Sequence, residues 1–164
     1  MKYKDIVFRN AVEQDVLTAV EIIRARCIWM KENGINQWND EYLKYYNEKY
    51  FSQKAVNGEL YIAEYREKPI GIFVLLEKDK RWDDDVPAYY LHNFAVLPQA
   101  KGAGEMIIQY CEKRCRADKK ERLRLDCGIN NKILNNYYES KGFLSAGICD
   151  ESPYYIGIKR EKNI

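Results

Sequence analysis

A chain of 164 residues fits one ordinary domain and is long enough to bury a core without help from a metal or a disulfide. Its 27 Lys and Arg against 25 Asp and Glu leave a net charge of +2, which argues against a dedicated nucleic-acid binder with its basic stripe. Aromatic residues make up 13%, led by 14 Tyr, and with so little net charge this excludes a disordered chain.

Residues 6–9 read as a short first strand. Residues 13–32 follow a helical period through Val16, Leu17, Val20, Ile23, Cys27 and Met30, and Gly34 ends the run. Asn39 or Asp40 is placed to cap a second helix carrying Tyr42, Leu43, Tyr46, Tyr50 and Phe51. Asn57-Gly58 turns into a strand over 60–65, and Glu67-Lys68-Pro69 turns that into Ile70–Glu77, apolar on both faces as a central strand is. A polar loop over 78–87 precedes a strand over 88–96. Gly102 then opens a helix with Met106, Ile107, Tyr110, Cys111, Arg114 and Cys115 along one stripe. Residues 122–127 alternate Leu123, Leu125 and Cys127 with charged residues, which predicts a strand with one face in water. Ile133, Leu134, Tyr137 and Tyr138 mark a short helix that stops before Gly142, and strands near 144–149 and 154–159 close the chain. No repeat or linker interrupts this order, which predicts a single domain over 1–164 of mixed α/β class.

The longest apolar run, Ile70–Leu76, is far below the roughly 18 residues of a membrane span, so no membrane partner is expected. The opening Met1–Asn10 lacks the apolar stretch of a secretory signal. Cysteines at 27, 111, 115, 127 and 149 form no Cys-x-x-Cys, and a single His leaves a zinc site short of ligands. No metal is expected, and free thiols in a reducing cytoplasm are.

The segment Leu91-His92-Asn93-Phe94-Ala95-Val96-Leu97-Pro98-Gln99-Ala100-Lys101-Gly102-Ala103-Gly104-Glu105-Met106 reads as a strand, a glycine-rich turn and a helix start. The first amides of a helix lack internal acceptors and its dipole makes that end partly positive. Glycines at 102 and 104 let the backbone approach a phosphate, and Lys101 adds charge. Two commoner phosphate motifs fail: the dinucleotide fingerprint would need a glycine where Ile107 stands, and a P-loop needs Gly-Lys before Ser or Thr.

A second segment, Leu123-Arg124-Leu125-Asp126-Cys127-Gly128-Ile129-Asn130-Asn131, leads into Tyr137-Tyr138-Glu139-Ser140-Lys141-Gly142-Phe143. Read together, the two segments resemble the GNAT N-acetyltransferase superfamily, in motif detail over 89–143 and in element order over most of the chain. The resemblance implies one domain with a central, twisted, mostly antiparallel sheet of six to seven strands and about four flanking helices. It also implies acetyl-CoA as cosubstrate and an acyl transfer to a primary amine on a small molecule or peptide, without a metal. Family members are often dimers, which admits a homodimer here. The rival class is a CoA-binding sensor or interaction module on the same fold that has lost catalysis.

In that family the turn carries Arg or Gln, two residues, Gly, one residue, then Gly or Ala. Counted from Pro98, Lys101 takes the first position, Gly104 the fourth and Met106 the sixth, so Lys101 and Met106 depart from the pattern. The spacing Gln99, Gly102, Gly104 fits every motif position but shortens the distance from Pro98; the Pro98 register is preferred. The resemblance further assigns backbone groups of Phe94 and Val96 to the pantetheine arm, as an added strand. It assigns Lys101 and the turn Gly102, Ala103, Gly104, Glu105 and Met106 to the diphosphate, and Asn131 to a cofactor contact. Tyr138 stands where the family keeps a tyrosine near the thioester sulfur, as general acid.

The chemistry fits these roles. A thiolate leaves with a pKa of about 8.5 and a phenol holds its proton to about 10, so Tyr138 can donate near neutrality. An alkylamine of pKa about 10.4 is almost wholly ammonium at pH 7, so a base is useful, and His92 is the candidate, ahead of Glu64, Glu77 and Asp126. Cys127 and Cys149 suggest a thiol nucleophile only by residue type. On the acceptor side, Trp38 in the loop after the first helix offers a ring face to a cationic or flat substrate, or else staples that loop onto the sheet. Asp83-Asp84-Asp85 and Asp150-Glu151 read as solvated loops that could also attract an amine.

Overall fold

The computed structural model describes residues 2–164. Seven strands and five α-helices follow one another as β1 Val7–Asn10, α1 Val16–Glu32, α2 Asp40–Tyr45, α3 Glu48–Val56, β2 Leu60–Tyr65, β3 Lys68–Leu76, β4 Ala88–Val96, α4 Ala103–Ala117, β5 Arg122–Gly128, α5 Lys132–Ser140, β6 Leu144–Glu151 and β7 Tyr155–Asn163. The mixed α/β order is that expected. By compactness the chain divides into two units: residues up to Leu75 with Asn93–Tyr110, and Leu76–His92 with Cys111–Ile164. Strand β4 contributes to both.

In the first unit the hydrogen-bonded order is β1-β2-β3-β4, with β1–β2 and β2–β3 antiparallel. Ile23, Phe51, Leu60, Ile62, Phe73 and Ile107 are fully buried, each contributing about 1.5–3 kcal/mol by leaving water. Tyr61 stacks on Phe73 and Phe8 on Tyr110. Gly71 is required by packing: a Cβ there would lie 3.1 Å from the Ala95 carbonyl and 3.2 Å from Ile107. Arg9 bridges Asp15 and Glu64, both at 2.7 Å.

The second helical pattern is broken into two helices. Asn39 caps α2 by accepting from the Tyr42 amide, and Asn47 caps α3 by accepting from the Tyr50 amide. The break has a visible purpose. Tyr50 Oη donates to Asn93 Oδ1 and Asn93 Nδ2 donates to Tyr42 Oη, each at 2.8 Å. Eight residues of one continuous helix would separate these tyrosines by roughly 12 Å, too far to clamp one side chain. Asn93 itself sits in mid-strand with φ +46°, where asparagine is better tolerated than most residues.

In the second unit the order is β4-β5-β7-β6, with β4–β5 parallel and β5–β7 and β6–β7 antiparallel. The parallel register runs only over Ala88–Tyr90 against Arg122–Arg124. The expectation of a wet face on β5 is overturned. Arg124 is 2% exposed, because the 78–87 loop folds over that face. Its guanidinium holds Asp84 with two hydrogen bonds and also donates to Glu161 and Tyr90. Trp82 lies against it at 4.2 Å. Asp84 is therefore a structural partner and not part of a merely solvated acidic run.

The sheet is mixed and mostly antiparallel, as expected, with five α-helices in place of about four because the second one divides. All five cysteines are free and buried. Among the described residues no helix is long and apolar enough to cross a membrane.

Asn93→Ala removes both hydrogen bonds and leaves a left-handed alanine, so urea unfolding should show a loss of about 2–4 kcal/mol. Tyr50→Phe, which leaves the backbone unstrained, should lose about 1 kcal/mol. Equal losses in the two variants would refute a clamp centred on Asn93.

Candidate active site

The first unit carries the turn at the head of α4. Strand β4 continues to Val96, six residues beyond its last registered pair with β5 at Tyr90. The chain then turns through Leu97 N to Ile70 O at 2.8 Å and Ala100 N to Leu97 O at 2.9 Å. Gly102 follows with φ +98° and open space where a Cβ would stand. The first helical amides have no partner a turn earlier, but that of Ala103 is already engaged by the Ala100 carbonyl at 3.0 Å. Of the other predicted cradle residues, Lys101 and Gly102 are exposed and Gly104, Glu105 and Met106 half-buried.

Phe94 is half-buried and Val96 buried. The Val96 carbonyl, expected to be available to a ligand, accepts from Arg26 Nε at 3.1 Å and Nη2 at 2.8 Å. Burial pulls the Arg26 pKa below its ordinary value. Trp38 lies on Tyr42 with rings 4.6 Å apart and 13° from parallel. It thus buttresses one of the tyrosines that clamp Asn93.

The second unit carries Tyr138 on α5. Asn131, expected to touch the cofactor, caps this helix: its side-chain oxygen accepts from the Leu134 amide at 3.1 Å. Asn135 fixes the helix from below, donating to the Gly128 and Asn131 carbonyls and accepting from Arg160 Nε at 3.0 Å. Arg160 also donates to Glu139 at 2.9 Å and to the Phe143 carbonyl. Tyr138 sits between these anchors, edge-on to Phe143 and Tyr137 with both centroids at 5.6 Å. It is 5% exposed, and burial pushes its phenol well above the ordinary value. Its hydroxyl has no hydrogen-bond partner among the described residues, so its proton is uncommitted. Burial pushes the Cys127 thiol up to about 11, which removes it as a thiolate nucleophile near neutrality.

His92 lies in a charged cluster of the same unit. Its Nε2 is 2.7 Å from Asp79 Oδ2, and Asp126 brings a carboxylate oxygen within 4.8 Å of both. Asp126 accepts from Arg81 at 3.0 Å and from Tyr155 Oη at 2.7 Å, and Arg81 further pairs with Glu151. Burial works to raise the Asp79 carboxyl, yet hydrogen bonds from His92 and the Arg81 amide hold it below the usual range. The hydrogen bond from Arg81 holds Glu151 low as well. The weaker base candidates are all engaged: Glu64 by Arg9, Asp126 by Arg81, and Glu77 by Lys120 at 3.3 Å.

A sequence model of the acetyltransferase (GNAT) family matches residues 23–143. The chain belongs to this family. Among curated proteins it is 26% identical to the uncharacterized N-acetyltransferase YesJ of Bacillus subtilis (strain 168) over 155 residues, covering 89% of this chain and 85% of the relative. A GNAT-family acetyltransferase of Listeria monocytogenes 4b F2365 superposes with a TM-score of 0.79 at 25% identity, covering 97% of this chain and 95% of that one. The PaiA N-acetyltransferase of Thermoplasma acidophilum, solved in complex with coenzyme A, shares the fold with a TM-score of 0.72 at 18% identity, over 98% and 99% of the two chains.

Several polar anchors of this GNAT acetyltransferase carry no signal in its sequence. Asp79 and Arg81 sit in a polar loop, Asn93 in an apolar strand, and Asn135 and Arg160 in separate elements. Each gains its meaning from a partner at least seven residues away. A half-buried arginine set among carboxylates should be costly to remove. Arg81→Met is expected to lose about 3 kcal/mol at pH 7 by stranding Asp126 and Glu151. Glu151, held low by Arg81 in the folded state, stabilises above its unfolded pKa of about 4, and that contribution fades as pH falls through the folded value. The difference from wild type in urea unfolding should therefore shrink below about pH 4. A pH-independent difference would contradict this.

Proposed function

We propose that the protein transfers an acetyl group from acetyl-CoA directly to a primary amine. Acetyl-CoA supplies the acetyl group as a thioester, and everything else is done by this chain's own groups. The observation that carries the reading is the head of α4, a glycine turn with positive φ and no side chain in the way, at the end of a strand running beyond its parallel pairing. Amides of Gly102, Gly104, Glu105 and Met106 would hold the diphosphate, with Lys101 adding charge. The positive φ at Gly102 and the helix start at Ala103 favour the spacing Gln99, Gly102, Gly104 over the one counted from Pro98. Met106 then falls on the fourth residue of the helix and need not be small.

Edge groups of β4 at Phe94 and Val96 would take the pantetheine arm, the Val96 carbonyl sharing its oxygen with Arg26. Tyr138, protonated and uncommitted, would give its proton to the departing sulfur. A strand amide near Ala95 or Val96 would stabilise the charge that develops on the carbonyl oxygen. His92 would accept the proton of the incoming ammonium. Trp38 is the proposed acceptor contact, through the ring face not stacked on Tyr42.

Thiol release from acetyl-CoA across a panel of primary amines tests the reaction. Tyr138→Phe should lower kcat roughly 100-fold or more while leaving the dissociation constant for CoA nearly unchanged. Cofactor binding without thiol release for any amine would favour a non-catalytic CoA-binding module. Separately, Gly104→Val should weaken CoA binding at least tenfold by calorimetry with little change in melting temperature. An unchanged dissociation constant would remove the diphosphate from this turn.

A further inference from the structure

His92 is the chain's one histidine, and its two ring nitrogens stand in different surroundings. Nε2 meets Asp79 Oδ2 at 2.7 Å, whereas Nδ1 has no hydrogen-bond partner among the described residues. The Asp79 side chain is 7% exposed and that of His92 18%. Asp79 is itself fixed, because its second oxygen accepts from the Arg81 amide at 2.9 Å. An ionised carboxylate only accepts, so a neutral imidazole against it must carry its proton on Nε2. The lone pair is then on Nδ1.

We propose that Asp79 is a positioning residue: it holds His92 in the Nε2–H tautomer, so that Nδ1 takes the proton from the acceptor's ammonium. The inference rests on the acetyl-transfer reading above and deepens it by naming the accepting atom and the group that orients it. One N–H bond of the ammonium breaks, its electron pair stays on the amine nitrogen, and a new N–H bond forms at Nδ1. The imidazolium so formed later returns its proton to water.

Charges of both signs surround the ring. Three carboxylates (Asp79, Asp126 and Glu151) face three cations: Arg81, Lys80 beside Glu151, and Lys159, whose ammonium donates to the Arg81 carbonyl at 3.0 Å. Tyr155 stays a neutral donor to Asp126. Asp126 accepts from Arg81 on one oxygen and from Tyr155 on the other.

A lone histidine makes its imidazole nitrogens individually visible in long-range proton–nitrogen NMR. In the wild type at alkaline pH, Nε2 should appear protonated and Nδ1 bare, and Asp79→Ala should give a mixture of tautomers. Wild-type protein in the Nδ1–H form would overturn the proposal, whatever the variants do. Kinetics supplies the second readout. Asp79→Ala and Asp79→Asn should lower kcat/KM roughly tenfold or more for alkylamines, which are ammonium ions at pH 7, without changing CoA affinity. The loss should largely vanish for O-alkylhydroxylamines, which are already neutral at that pH. An equal loss for both acceptor types would reduce Asp79 to a structural role and sink the inference. Absence of thiol release from any amine in wild type, with the Nε2–H tautomer intact, would sink the acetyl-transfer reading instead.

Discussion

One asparagine in the middle of a strand governs how β4 runs. Two tyrosines clamp Asn93, from α2 and from α3, and hold its backbone in a left-handed conformation. A left-handed residue interrupts the regular ladder of a strand, and the parallel register with β5 ends three residues earlier. Main-chain groups left over at such an edge are what an extended ligand arm can pair with. The neighbouring aromatic residues belong to the same device, Trp38 stacking on Tyr42, Tyr42 tilted against Tyr46 and Tyr46 edge-on to Tyr50. The tyrosine richness of this stretch thus has a mechanical explanation independent of any substrate.

The second unit is organised by arginines, two of them buried and Arg81 half-buried. Arg81 gathers Asp126 and Glu151, Arg124 gathers Asp84 and Glu161, and Arg160 gathers Asn135 and Glu139. The planar guanidinium suits this work, because it keeps its charge when buried and donates in several directions at once. Such clusters add little net stability against an apolar replacement, but breaking them halfway is costly. They fix loops and helices in one arrangement, with α5 and its Tyr138 the clearest example. The 78–87 loop is held in the same manner, which brings Asp79 to His92.

Much of the fold is legible along the chain because the helices and strands carry strong local periods. The long α1, the stripe of α4 and the apolar β3 follow from residues spaced three, four or two apart. The failures share a cause. Tyr42 and Phe51 look like one helix because their apolar spacing is continuous, and only the need for Tyr42 and Tyr50 to reach Asn93 divides it. Arg124 and Asp126 look like a wet strand face because alternation cannot show that a loop with Trp82 will cover it.

The sequence by itself determined the mixed α/β order, the glycine turn before α4 and the membership in the acetyltransferase family, since each is written in neighbouring residues. Tertiary structure alone decided the partner of His92, the clamp on Asn93, the engagement of the Val96 carbonyl by Arg26, and the anchoring of α5 by Arg160. These join residues 13 to 70 positions apart. A hydrogen bond depends on a few ångströms and an angle, and no local pattern of side chains encodes which distant donor will arrive.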